Sequence, residues 1–248
     1  MKALVVSAAA LACVASPALA QEEPVWNGVY VGVQGGYGHS TSDSEVTLSG
    51  AWASESQSLR DRVVADLSND QGADSALYGV HIGYNYQGNS PLVLGVEADF
   101  TKVDGGDTLT TASAGTPNYS FINITDPDYT ISLRARAGYG AGKTLIYATG
   151  GWAWSRVDLG AEITSDGGYS KAALVKADLD GFVVGGGVEQ RIGSNLSARI
   201  EYLYSDQGDV TYTTAYRPGS AFTSPAYTET LNQDFRSHQV RVGLSYAF

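Results

Sequence analysis

From Tyr129 to Gly140 the chain alternates strictly. Tyr129, Ile131, Leu133, Ala135, Ala137 and Tyr139 share one parity, and Thr130, Ser132, Arg134, Arg136 and Gly138 the other. Successive side chains of a β-strand point to opposite faces, so this pattern describes a strand with one apolar and one polar face. Helical spacing cannot reproduce it. The same alternation runs through residues 76–87, 92–101, 196–205 and 239–248, and more weakly through 29–37, 145–154 and 182–188. The total is eight strands, an even number.

The connections choose between a water-soluble sandwich and a barrel in a membrane. Three are tight turns: Gly88-Asn89-Ser90-Pro91, Gly142-Lys143 and Gly193-Ser194-Asn195. Four are long and polar, over roughly 39–75, 104–128, 158–179 and 207–233. Long and short alternate, so every long connection leaves from the same end, the asymmetry of transmembrane β-barrels. Aromatic residues also mark the ends of the apolar faces. Tyr37, Tyr84, Tyr86, Tyr139, Tyr246 and Phe248 are assigned to the short-turn margin, and Phe100, Tyr129, Trp154, Phe182 and Tyr204 to the other. Rings at both margins of an apolar band form interfacial girdles. The predicted fold is all-β: an eight-stranded antiparallel transmembrane barrel with short periplasmic turns and four long extracellular loops.

Composition narrows the alternatives. Among 248 residues, 30 are glycine and 16 tyrosine, and 26 acidic against 15 basic residues leave a net charge of −11. That balance excludes nucleic-acid binding through a general basic field. Met1-Lys2, the apolar run from Ala3 to Ala15 and the small-x-small site Ala18-Leu19-Ala20 read as a signal peptide cleaved before Gln21. The expected organisation is a signal over residues 1–20 and a barrel domain over 21–248. Cys13, the sole cysteine, then leaves with the signal, so thiol and Cys-metal chemistry are not expected of the mature chain.

Val242, Leu244, Tyr246 and Phe248 form one face of the last strand. They resemble the C-terminal signature that the assembly machinery reads in bacterial outer-membrane barrels. Trp26-Asn27-Gly28-Val29-Tyr30-Val31-Gly32 and Leu145-Ile146-Tyr147-Ala148-Thr149-Gly150-Gly151 are similar to strand openings in the small porin-like surface proteins of alphaproteobacteria. These lie within the OmpA-like and OmpX-like eight-stranded group. The resemblance implies a location in the outer membrane, with lipid, lipopolysaccharide and the barrel assembly machinery as partners. No peptidoglycan-binding domain follows Phe248, so that anchoring role of OmpA itself is not expected here.

An eight-stranded barrel encloses a space that side chains can fill. The inward faces carry Glu97, Asp99, Arg134, Arg136, Glu189, Arg199, Glu201 and Arg241, and the third and fourth strands bring opposite charges together. This set is either a structural ion-pair network or the lining of a narrow ion path. Inward glycines such as Gly32, Gly83 and Gly243 leave space or admit long side chains.

Chemistry is sparse, and neither a catalytic residue, a metal site nor a cofactor is expected. Lipid A deacylases of this architecture carry a His-x-Ser pair on one lipid-facing surface, whereas adjacent Ser237 and His238 point to opposite faces. His81 is expected in the lumen near Glu97 or Asp99. Asp104/Asp107 and Asp126/Asp128 lack the spacing of a calcium loop. The first long connection holds Trp52 and an amphipathic stretch over 59–67, and the fourth holds Tyr212, Tyr216, Phe222 and Tyr227. Such loops suit capture of a surface or host ligand, or they shield the barrel mouth. The leading reading is a non-enzymatic envelope protein that interacts through its loops. The alternative is a narrow pore or a protein binding a small ligand such as haem, although His39, His81 and His238 are dispersed.

Overall fold

The computed structural model describes residues 25–248, so the proposed signal and its cleavage residues Ala18, Ala20 and Gln21 lie outside the described residues. In chain order the elements are β1 (Gly28–Gly50), a 3-10 turn (Ala51–Ser54), α1 (Gln57–Leu67), β2 (Asp70–Gln87), β3 (Leu92–Asp104) and β4 (Asp107–Ser113). There follow β5 (Tyr119–Ala141), β6 (Thr144–Ser165), β7 (Ser170–Arg191), β8 (Leu196–Thr213), β9 (Ala215–Tyr216) and β10 (Tyr227–Ala247). Eight long strands pair antiparallel around a ring, with β4 beside β5 and β9 beside β7 outside it. The ring closes where β1 meets β10, from Tyr30 opposite Ala247 to Gly50 opposite Tyr227. No sheet edge is left open in lipid, where each unpaired backbone group would cost several kcal/mol.

The outer surface carries a continuous apolar band. On β2 it is Tyr78, Val80, Ile82, Tyr84 and Tyr86, and on β10 it is Val240, Val242, Leu244 and Tyr246, all about half exposed. Exposed apolar surface on this scale has only lipid as a matching solvent. Tyr37 corrects one sequence assignment. It pairs with Ala76 and Val240, at the opposite margin from Tyr84 and Tyr246. Because β1 runs outward from Gly28, Tyr37 belongs to the girdle on the long-connection side.

The four long connections also depart from expectation: most of their residues are strand. β6 continues to Ser165 and β7 resumes at Ser170, paired from Thr144–Gln190 to Thr164–Ser170. In the upper half of β6 alternation persists with the polarity of the two faces exchanged. There Val157, Leu159, Ala161 and Ile163 are buried, while Asp158, Glu162 and Thr164 lie outward and partly exposed. A search for apolar outer faces overlooks such strands. Beyond the band the strands continue as a β-tower of two sheets, β1 with β10 and β8 in one and β4 to β7 in the other, since the β7–β8 pairing stops at Phe182–Asp206 and the β3–β5 pairing at Lys102–Tyr129. Its mouth is capped by the 3-10 turn and by α1, which starts on the Ser56 side chain accepting from the Leu59 amide (3.3 Å) and buries Val63 and Leu67.

Candidate functional site

The interior has three levels. At the periplasmic end Trp26, Val93, Leu145 and Tyr147 pack together, and Trp26 Nε1 donates to the Gly142 carbonyl (3.1 Å). Above them lies the charged level. Glu97 and Arg134 are direct cross-strand partners in the β3–β5 register, so alternation alone aims both side chains at the axis. Arg134 reaches Glu97 at 2.6 Å, Asp99 at 3.2 Å and Glu201 at 3.0 Å. Arg199 contacts Glu97 at 2.5 Å, Arg136 contacts Glu189 at 2.9 Å, and Arg241 contacts Asp99 at 2.9 Å. Four arginines and four carboxylates thus form one neutral cluster, every member at most 5 % exposed.

Neutral groups complete it. Tyr30 donates to Glu97 (2.8 Å), Tyr147 donates to Glu201 (3.0 Å), and the Arg136 guanidinium lies 3.9 Å from the centre of the Tyr147 ring. A Cβ at Gly83 would stand 2.3 Å from the Tyr30 ring, and one at Gly32 2.4 Å from His81. The inward glycines are the space these long side chains occupy. His81 is in the lumen and lies opposite Asp99 in the β2–β3 register, but its hydrogen bond goes to Ser245 (2.9 Å) rather than to an acid.

The third level, inside the tower, joins an apolar cluster to a buried polar set in which Gln71, Thr125, Gln233 and Ser42 bond one another. Phe121, Val157, Leu159, Ile163, Leu231 and Phe235 make up the cluster, capped by Val63 and Leu67 of α1. A cavity of about 10 Å³ between Leu77, Val103, Phe235 and Gln239 separates it from the charged level, room for about one water. Near the tip the core holds a buried ion pair, Lys171 with Glu229. Glu229 also accepts from Trp52 Nε1 (2.8 Å), the Tyr169 hydroxyl and the Thr214 hydroxyl. Burial and the Glu229 charge push the Tyr169 hydroxyl well above its usual range.

Beside this floor an open cleft of about 140 Å³ is walled by Trp52, Tyr119, Tyr169, Phe222 and Tyr227. Glu55 lies at its edge and accepts from the Tyr227 hydroxyl (2.5 Å), a bond that, with burial, pushes that hydroxyl up to about 12. Sequence reasoning noticed Trp52, Phe222 and Tyr227 but placed them on two separate loops. It missed Tyr119, Tyr169, Lys171 and Glu229.

Other residues occupy separate places. Val242, Leu244, Tyr246 and Phe248 lie on the outer face of the closing strand and its end. Ser237 points inward to Ser205 (2.8 Å), while His238 points outward to Tyr202 (2.6 Å), so the two cannot act together. Asp128 pairs with Lys102, and the described residues hold no cluster of three or more metal-type ligands.

A closed ring of eight antiparallel strands, apolar outside and ionic within, defines a small membrane β-barrel. The family profile of the outer membrane protein beta-barrel domain matches residues 6–248, and the chain belongs to that family. It is 29 % identical over 226 residues to the 31 kDa outer-membrane immunogenic protein of Brucella melitensis, covering 90 % of this chain and 84 % of that one. It is 35 % identical over 141 residues to the 22 kDa outer membrane protein of Rhizobium leguminosarum, covering 55 % and 57 %. Among solved structures, OprG of Pseudomonas aeruginosa aligns with a TM-score of 0.44 at 11 % identity, covering 90 % of this chain and 97 % of that one. Neisserial surface protein A aligns at 0.38 and 13 %, covering 86 % and 97 %. The protein is an integral β-barrel of the outer membrane.

Proposed function

We propose that this protein is a non-enzymatic, closed barrel that anchors a rigid extracellular tower, contributing to envelope structure and to interactions at the cell surface. The observation that carries the reading is the filled interior. An aromatic plug, a neutral ionic layer and the tower core follow one another along the axis, each made of buried side chains. The eight lumen charges act as structural ties between strands. Removing one member would strand its partners in a dry interior, at about 3–5 kcal/mol. Residues 1–20 serve as the export signal, and Val242, Leu244, Tyr246 and Phe248 as the face met by the assembly machinery. The aromatic girdles sit among lipid and lipopolysaccharide.

Planar-bilayer recordings test this. The refolded protein should give no stable conductance, and neutralising Glu97 or Arg134 should disturb folding rather than current. Steady small conductance that changes in size with Glu97→Gln or Arg134→Gln would replace the closed barrel with a narrow pore.

A further inference from the structure

The cleft at the tower tip has the composition of a receptor for an organic cation. Five aromatic side chains form its walls, and among the residues that line it Glu55 alone is charged. Trp52 and Tyr227 meet edge to face with centroids 5.0 Å apart, and Tyr169 stands 5.8 Å from Tyr227. Trp52, Tyr119 and Tyr169 form the nearly buried floor of the hollow and Phe222 and Tyr227 its more exposed rim, an aromatic lining suited to alkylated ammonium groups. The Tyr169 and Tyr227 hydroxyls donate to carboxylates, which enriches both rings in electron density and strengthens their pull on a cation. Cations already settle on rings of this cluster: the Lys171 ammonium lies 4.7 Å from the centre of the adjoining Tyr216, and the Arg62 guanidinium 5.5 Å from that of Tyr119, itself a wall of the cleft. Both are held elsewhere, Lys171 by Glu229 and Arg62 by the Ala114 and Pro117 carbonyls.

Two further features favour this occupant. The connecting segments 39–75, 104–128, 158–179 and 207–233 contain seventeen acidic residues and five Lys or Arg, so the tower projects a negative field that concentrates cations at its surface. Phe222, 61 % exposed at the cleft, holds φ at +60°, a left-handed conformation that bulky residues rarely adopt and that collects at ligand clamps. The volume of about 140 Å³ suits a headgroup and falls short of the roughly 300 Å³ or more of pockets for drug-sized ligands.

We propose that the cleft formed by Trp52, Tyr119, Tyr169, Phe222 and Tyr227, with Glu55 at its edge, binds a quaternary or alkylated ammonium group. The rings supply cation–π attraction and Glu55 the counter-charge. This rests on the reading of the tower as the extracellular, ligand-facing part of a closed barrel.

The test is calorimetric titration of the full chain, refolded in a sugar-headgroup detergent that carries no ammonium. Choline, phosphocholine and the neutral choline isostere 3,3-dimethylbutan-1-ol serve as probes. Choline should saturate one site in the millimolar range or tighter and weaken with salt, while the isostere binds at least about tenfold more weakly. Glu55→Gln should lower choline affinity about tenfold and Phe222→Ala about threefold. Both side chains lie at least partly exposed, and gel mobility before and after heating checks that each variant is folded. Phosphocholine binding as well as choline assigns the site to a lipid-type headgroup, and weaker binding to a free ammonium solute; either outcome supports the cage. Equal binding of the neutral isostere, or absence of choline binding by folded protein, overturns it. A conducting barrel that still binds choline would overturn only the closed-barrel reading. A silent barrel that ignores choline would overturn only this proposal.

Discussion

The two halves of the barrel are built on the same strands and obey opposite rules. In the membrane half, β1 turns Val29, Val31, Val33 and Tyr37 outward and Tyr30 and Gln34 inward. In the tower the same strand turns Asp43, Glu45 and Thr47 outward and Val46 inward. The register with β10 is carried on from the lower half to the upper, and inward residues keep their even numbers throughout. What changes is the solvent. Lipid favours apolar side chains outside and leaves the interior to charges that satisfy one another. Water reverses both preferences. The boundary of the membrane is thus written in composition on strands that run on across it, although the ring itself opens there, between β7 and β8 and between β3 and β5. The two interiors also hold together differently, one by mutual neutralisation and the other by removing apolar area from water.

Substitutions that act on one half and spare the other sharpen this contrast. The largest effect is expected for Glu97→Ala, which strands Arg134 and Arg199 in the lumen and should cost about 3–5 kcal/mol in urea unfolding from detergent micelles. Leu159→Ala, in the tower core, should cost about 2–5 kcal/mol, but locally. Hydrogen exchange should show the tower opening while the membrane strands stay protected. Simultaneous opening of both halves would break the comparison. Ile82→Arg, at the middle of the lipid-facing row of β2, should cost about 2–4 kcal/mol. Thr47→Arg, on the outer face of the tower, should cost less than about 0.5 kcal/mol. Equal penalties would mean that the two outer faces meet the same medium. The smallest effect is expected for Arg156→Ala. Its pair with Asp178 is open to water on both sides, so its loss should barely move the urea midpoint, and the difference should vanish in high salt.

The membrane half was almost entirely legible in the sequence, because lipid imposes a simple sign on alternate residues. Strand parity, the short turns and the inward direction of the eight charged side chains all follow from it. Pairings within the charged level were legible only between Glu97 and Asp99 on β3 and Arg134 and Arg136 on β5, whose strands are neighbours. The contact of Arg199 with Glu97 crosses the lumen between β8 and β3, and one-dimensional spacing does not contain it. The tower was hidden for a related reason. Its strands alternate in the opposite sense, with acids and threonines outside, so polar composition resembled loop. The run Val157, Leu159, Ala161, Ile163 carried the signal. The tip cleft was the least legible feature, since its walls come from Trp52, Tyr119, Tyr169, Phe222 and Tyr227 on separate connections that only the closed ring gathers.

Continuous pairing beyond the membrane sets a height as well as a fold. From Tyr37 at the outer girdle to Gly50, β1 advances about 3.3 Å per residue. At the tilt of roughly 40° usual in such barrels, its end stands roughly 30 Å above the girdle. A headgroup layer is only about 5–8 Å deep on each side. The tip therefore rises clear of the bilayer on a stalk in which β1 is bonded to β10 from base to tip and to β2 as far as Asp43. The rim of the cleft is thereby held at a distance from the lipid surface that the length of β1 sets.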